Sequence, residues 1–124
     1  MAAGNVILFS KNKDDLRIND LVGATVLLSL VSSAWTPDST VTGNSVWADM
    51  SANEVSGNGW AAGGEALTSL AATAISGGFK FSSGNVSKTA SGGSIPAWRY
   101  GVIRVSGSLW GMTNPLVGYF VGDS

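Results

Sequence analysis

Hydrophobic residues occur along the chain in short runs and alternating patterns, which predict β-strands separated by turns. Residues 5–9 form a short apolar run that predicts a first strand. Residues 24–32 form a continuous run rich in branched side chains, which predicts a central strand covered on both faces. Residues 97–106 and 115–121 predict two closing strands that pair as an antiparallel hairpin with a long connection.

The segment between these runs gives weaker signals. Residues 65–75 fit both a helical and an alternating pattern, and their threonines and flanking glycine pairs favour a strand. Residues 79–81 alternate strictly and predict a strand fragment, whereas residues 82–94 are rich in Gly and Ser and predict a hairpin or loop. Arg99 and Arg104 of the 97–106 strand are five positions apart, so regular alternation would place them on opposite faces of the strand. We therefore expect a bulge near Gly101.

A charged stretch follows the first strand. Residues 11–20 hold six of the fifteen charged residues of the chain, so at least one side of this segment faces solvent. It forms either a polar loop or short helix between two strands, or an N-terminal arm that reaches a neighbouring subunit. The apolar spacers Leu16 and Ile18 keep the arm open as an alternative. We therefore divide the chain into an N-terminal strand with charged arm or loop, 1–20, and one β-domain, 21–124.

Residues 39–64 are rich in glycine and give few signals of regular structure. A loop of this length inside a compact domain is unusual unless it is functional or held by its tryptophans. Asn58 and Gly59 form a dipeptide typical of a type I′ hairpin turn. Glu54 is expected to accept hydrogen bonds from loop amides and so to fix the shape of the loop.

The predicted fold class is all-β. Glycine is abundant, at 17 of 124 residues, and Lys and Glu, which favour long helices, are scarce. About six or seven short strands joined by Gly-rich loops predict a small antiparallel β-sandwich or barrel. The length corresponds to one domain.

Composition removes most catalytic chemistry. The chain has no His and no Cys, so it contains neither a thiol nucleophile nor the usual general base of a catalytic triad. We predict no enzyme activity, no cofactor and no metal site. Asp49, Glu54 and Glu65 could in principle gather around Ca²⁺, but their spacing matches no calcium-binding motif. No basic patch predicts nucleic-acid binding, and no apolar run is long enough to span a membrane.

The low charge predicts a covered surface. Charged residues make up 12% of the chain, against an average near 25%, and the mean hydropathy is +0.24. A monomer of this composition would have poor colloidal stability. We therefore expect an outer surface rich in Ser, Thr and Gly together with homo-oligomerisation, with a trimer favoured because a closed oligomer buries much of the hydrophobic surface.

Five tryptophans are many for a core of this size. Any one of them could be a core residue, but three lie in loop-like surroundings and are candidate interface anchors, since Trp is enriched at interaction hot spots. An aromatic-lined carbohydrate site near the central tryptophans is an alternative. The candidate interface residues are Trp47, Trp60, Trp110, Glu54, Leu16 and Ile18.

Residues 47–67 contain an acidic-Val-Ser-Gly-x-Gly-aromatic core, 54–60, followed by a Gly-Gly pair. This segment resembles a pattern in small virion proteins of tailed bacteriophages. The strand before it and the two closing strands are also similar, so the resemblance covers roughly residues 24–122. The Gly/Ser-rich residues 82–94 depart from the pattern, where an acidic, aromatic-containing strand is expected.

The resemblance implies a structural place in a phage particle. Within that class, the composition favours a capsid decoration or cement protein that self-associates and clamps subunits of the major capsid protein. Such a protein would be made in the host cytoplasm and would lie on the capsid surface of the virion. Tail, baseplate and head-fibre components are alternatives, and so is a carbohydrate-binding receptor-recognition module.

Overall fold

The computed structural model describes residues 6–14, 16–84 and 86–122. Its centre is a six-stranded antiparallel sheet, whose strands are β1 Ile7–Leu8, β2 Val26–Val31, β3 Glu54–Val55, β4 Glu65–Ala66, β7 Tyr100–Val105 and β10 Leu116–Val121. The order across the sheet is β1-β10-β7-β2, and the short strands β3 and β4 follow one another along the outer edge of β2.

Two small hairpins and four short helices complete the described residues. The predicted antiparallel all-β class is confirmed. The described strands number ten, more than the six or seven expected, because five of them contain only two residues. The remaining elements are β5 Ala71–Ile75, β6 Gly78–Ser82, β8 Ser108–Leu109, β9 Met112–Thr113, the helix α1 Ile18–Val22 and the 3₁₀ helices Ser10–Asn12, Trp47–Asp49 and Ser51–Asn53.

Strand β2 is central and covered on both faces, as its unbroken apolar sequence predicts. Successive residues of a strand point to opposite faces of the sheet. Val31 and Ser29 are buried on one face, while Val26 and Leu30 are buried on the other. The first face is covered by a cluster around Trp35, and the second by two clusters to which α1, the hairpins and the 86–98 segment contribute.

The irregularity in the β7–β10 pair lies on β10 rather than near Gly101, where it was predicted. Gly101 pairs regularly with Phe120, whereas the register shifts between Leu116 and Gly118. The extra residue at Val117 lets Leu116 and Tyr119, three positions apart, pack in the same cluster on one face of the sheet, which regular alternation would not allow. Leu116 packs in the first cluster and Val117 in the second. Arginine parity did not detect this, because Arg99 lies outside the strand.

Residues 6–14 and 16–22 pack against the rest of the chain. Phe9 is fully buried, and the Asn12 side chain donates hydrogen bonds to the carbonyls of Ser45 at 2.7 Å and Leu116 at 2.9 Å. The charged stretch contains a 3₁₀ helix and α1, as the loop-or-helix alternative predicts. The proposed division at residue 20 falls inside α1. Residues 1–5 and Asp15 lie outside the described residues.

The Gly-rich middle is ordered by turns. Gly57 and Trp60 form an isolated antiparallel bridge around Asn58 and Gly59, whose φ angles are +52° and +110°. Positive φ at both positions confirms the predicted I′-type turn. The predicted 65–75 strand is present in two parts, β4 and β5, because Ser69 adopts a φ of +53° between them. The described residues of 83–94 contain no strand.

Candidate interaction surface

The β5–β6 hairpin is the most exposed regular element among the described residues. Its register runs from Ala71 opposite Ser82 to Ile75 opposite Gly78, and a two-residue turn closes it. Gly77 supplies the positive φ, +84°, that the turn requires. Nearly every residue from 72 to 80 is exposed. An isolated two-stranded hairpin is only marginally stable in water, so this element depends on its contacts with the body.

One face of the hairpin is apolar from its base to its tip. Ala72, Ala74, Phe79 and Phe81 lie on this face, because Ala72 pairs with Phe81 and Ala74 with Phe79. Phe81 at the base packs against a core cluster, whereas 65% of Phe79 near the tip is exposed. Ile75, also near the tip but on the opposite face, is 51% exposed. Large apolar side chains exposed together mark a surface suited to a partner.

A groove of about 600 Å³ lies between this hairpin and α1. Arg17, Ile18 and Asn19 line one side, and Ala72 and Phe79 line the other. Ile18, predicted from sequence as a contact residue, therefore lies beside the exposed phenylalanine.

Leu16 and Trp110 are near the same side of the molecule as the hairpin. Both are half-buried and pack on the cluster that also holds Phe81. The Trp110 indole donates a hydrogen bond of 2.9 Å to the Asp20 carboxylate. Trp110 has a φ of +55°, a strained conformation for a bulky residue that persists only where surrounding contacts hold it.

Trp47 and Trp60 lie elsewhere, on opposite faces of the sheet. Each is only 8% exposed, so little of either indole is left for a partner. Trp47 packs beside Trp35 in the first cluster, and Trp60 packs with Leu30 on the other face. The structure thus separates the two rings that the carbohydrate alternative would bring together.

Glu54 holds a buried polar network around the backbone of Gly63. Its carboxylate accepts a 2.5 Å hydrogen bond from the Gly63 amide, which confirms the predicted bond from loop amides. The Gly63 carbonyl accepts hydrogen bonds from the Arg104 guanidinium at 2.5 Å and from the Ser29 hydroxyl at 2.8 Å. Glu54 faces inward here rather than toward a partner surface.

Arg104 is the charged residue that this network encloses. It is 5% exposed, and its guanidinium lies 4.7 Å from the centre of the Trp47 ring, a cation–π distance. Burial lowers the pKa of Arg104 from its ordinary value, and the nearby negative charge of Glu54 opposes that change. A buried arginine remains charged in proteins. The Arg104 guanidinium therefore needs its hydrogen bond to the Gly63 carbonyl, and this bond fixes the loop.

The three carboxylates considered for Ca²⁺ act separately. Asp49 accepts the amides of Ser45 and Val46, at 2.9 Å and 3.2 Å, and Glu65 accepts the amide of Ala61 at 2.9 Å. Across 6–14, 16–84 and 86–122, no group of three or more His, Cys, Asp or Glu side chains is close enough to hold a metal ion. Within the same residues no helix is long and apolar enough to cross a membrane.

Two features were not found from the sequence. Arg104 has the sequence surroundings of an ordinary strand arginine. The only signal for its burial was its position between the apolar residues 102–103 and Val105. Phe79 looked like a strand residue of unknown exposure. The signal available for it was the shortage of charge, since residues 71–82 carry a single charged side chain, Lys80.

Comparisons with protein-family models, curated proteins and solved structures find no match to this chain.

Proposed function

We propose that this chain is a non-enzymatic structural protein of a tailed-phage particle, namely a capsid decoration or cement protein. It self-associates, with a trimer favoured, and clamps subunits of the major capsid protein. The observation that carries the proposal is the β5–β6 hairpin, which extends an apolar face from the core at Phe81 to the exposed Phe79. A clamp needs an exposed apolar projection of this kind, and it needs no chemistry.

A second exposed apolar segment supports the same function. Ile7 and Leu8 are 42% and 40% exposed on β1, the edge strand that pairs with β10, and Val6 directly before it is 50% exposed. An exposed apolar edge strand is a template for pairing with another chain. Strand addition at this edge would join the protein to a neighbouring subunit through backbone hydrogen bonds.

The body between these surfaces suits a load-bearing role. Its sheet is buried on both faces, and the loop beside β2 is fixed by the Glu54–Gly63–Arg104 network. Such a body transmits force between two contact surfaces without changing shape, because packed interiors have low compressibility. On this proposal the protein is made in the host cytoplasm and lies on the outer surface of the virion.

The test has two steps. Light scattering gives the solution mass of the purified protein, and co-sedimentation measures its binding to empty expanded heads of the phage that, on this proposal, encodes it. The heads come from a mutant that lacks the gene. We expect a closed oligomer and saturable binding, with unexpanded procapsids of the same phage as the matched control.

Failure to bind heads would rule out the decoration function. The same protein would then be tested against purified tails and baseplates, since a tail, baseplate or head-fibre component could use the same apolar surfaces. Binding to tails alone would move the protein to that alternative. Because the two assays share one protein preparation, binding to tails alone also shows that the protein is folded.

A further inference from the structure

A second apolar site lies away from the hairpin, on the side of the sheet that holds Trp60. This pocket has a volume of about 300 Å³. Leu28 and Leu30 of β2 form its floor together with Phe120 of β10, and two indoles, Trp60 and Trp98, form walls. The rings of Trp98 and Phe120 pack edge to face, with their centres 6.4 Å apart. The remaining lining residues are Val86, Lys88 and Ile95.

Residues 86–95 contribute one side of this pocket and are hydrogen-bonded to the turn at Asn58. The Asn58 carbonyl accepts the Ser91 amide at 2.8 Å, and the Asn58 side chain donates to the Ser94 carbonyl at 2.7 Å. Lys88 pairs with Glu65 at 3.5 Å. The one charged residue of the pocket lining is thus already paired with a carboxylate.

The lining selects an uncharged aromatic or aliphatic group. Seven of its eight residues are apolar. A sugar would need hydrogen-bond partners for its hydroxyl groups, and an anion would have to compete with Glu65 for Lys88. A cavity of about 150 Å³ lined by apolar side chains holds one benzene. The larger pocket here can take a phenylalanine ring with part of its backbone.

We propose that this pocket receives Phe79 from the β5–β6 hairpin of a second copy of the chain. Phe79 has the required chemistry and size, and it is the most exposed aromatic side chain among the described residues. Within its own chain it lines the separate groove beside α1 and not this pocket. The contact therefore joins two copies, with hairpin and pocket as unlike halves.

Such a contact is heterologous, so each copy donates one hairpin and accepts another. Heterologous contacts close into rings when the rotation allows and otherwise continue as filaments. This inference rests on the self-association in the proposed function and specifies its interface. It requires nothing of the capsid, so the two can fail separately.

Three variants test the contact. Phe79→Asp removes the inserted group, Val86→Arg places a long charged side chain at the pocket, and Val41→Arg is the matched control at a valine 72% exposed elsewhere. Sedimentation velocity measures the mass of each, and circular dichroism verifies folding. The first two should raise the dissociation constant on the order of 30-fold or more, as for a hot spot. The control should associate like the parent protein.

Mixing the first two variants gives the decisive result. The Phe79→Asp copy keeps a working pocket and the Val86→Arg copy keeps a working hairpin. Equal amounts should therefore form a one-to-one dimer that grows no further. A parent protein that stays monomeric at its highest attainable concentration overturns the proposal, as does association of Val86→Arg equal to that of the control.

Binding to phage heads is measured on the same samples. An oligomer that assembles by this contact but ignores heads removes the capsid function and leaves the interface. Head binding by a protein whose oligomer survives Val86→Arg removes the interface and leaves the function. If Phe79→Asp alone prevents association, the hairpins pair with each other, and the pocket proposal is wrong.

Discussion

Two segments of this molecule that each contain a Gly-Gly pair, the loop of residues 57–66 and the β5–β6 hairpin, are held very differently. The loop is short of regular structure but is fixed by the buried contacts that Gly63 makes with Glu54 and Arg104. The hairpin has a regular ladder but lies largely in solvent. Regular hydrogen bonding and rigid attachment are therefore separate properties in this fold.

The difference follows from where charge is placed. The loop is held by a buried positive charge, which must be matched by carbonyls and a carboxylate because water cannot reach it. The hairpin has only Lys80 and makes few contacts with the body, chiefly with α1. A segment fixed from within resists change, whereas one held by few contacts has its surface free for a partner.

Removing the buried charge should have the largest effect. Arg104→Ala should lower the free energy of unfolding by about 3–5 kcal/mol, because it leaves the Glu54 carboxylate without the opposing charge and takes a donor from Gly63. Urea denaturation followed by tryptophan fluorescence measures it. Arg104→Lys keeps the charge but loses the planar stack on Trp47, so its loss should be intermediate. An alanine variant as stable as the parent would show that the loop is held by other contacts.

Matched glycine substitutions compare the two segments directly. At Gly64, with a φ of +111°, a methyl group would lie 2.8 Å from the Leu28 carbonyl and 2.5 Å from the Ser29 hydroxyl. At Gly77, with a φ of +84°, it would meet nothing within 4 Å. We expect Gly64→Ala to lose about 3 kcal/mol, from strain plus overlap, and Gly77→Ala about 1 kcal/mol, from strain alone. Equal losses in thermal unfolding would contradict the contrast.

The two phenylalanines divide the hairpin into a base and a tip. Phe81→Ala should lower stability by about 2 kcal/mol, since Phe81 packs on a core cluster, and Phe79→Ala should stay within about 0.5 kcal/mol. Both are measured by urea denaturation at a concentration where the protein is monomeric. A large loss for Phe79→Ala under those conditions would mean that the tip packs within its own chain.

The smallest effect concerns the exposed Asp38 turn, a reference outside both segments. Hydrogen bonds from the side chain and amide of Thr40 hold the pKa of Asp38 below its ordinary value of 3.8. The folded pKa is the lower one, so the stabilisation is present above pH 3.8 and is lost as pH falls through the folded pKa. Asp38→Asn should slightly flatten the acid limb of a stability–pH curve. A change in the slope of the curve above pH 5 would contradict this assignment.

The sequence predicted local elements well where each is encoded by adjacent residues. The apolar run of β2, the closing strands and the Asn58-Gly59 turn all occur where they were expected. The hydrogen bond from a loop amide to Glu54 was also expected, because a carboxylate beside glycines has amides within reach. These features depend on backbone preference and on periodicity.

Placement of the candidate surface was not predictable in the same way. Trp47 and Trp60 stand in Gly-rich segments, yet both are buried, because those segments fold back over opposite faces of the sheet. The exposure of Phe79 depends on how far the hairpin extends past α1. The bulge at Val117 depends on Leu116 and Tyr119 both packing in the cluster around Trp35.

The sequence by itself determined the antiparallel β class, the places of the long strands β2, β7 and β10 and the absence of His and Cys chemistry. Each follows from local alternation, turn residues or composition. Only the tertiary structure decided which aromatic rings face solvent, that Arg104 is enclosed with Gly63, and that an apolar pocket and an apolar hairpin coexist on one chain. The physical reason is that burial is set by contacts between residues far apart in sequence, and periodicity along one segment does not record them.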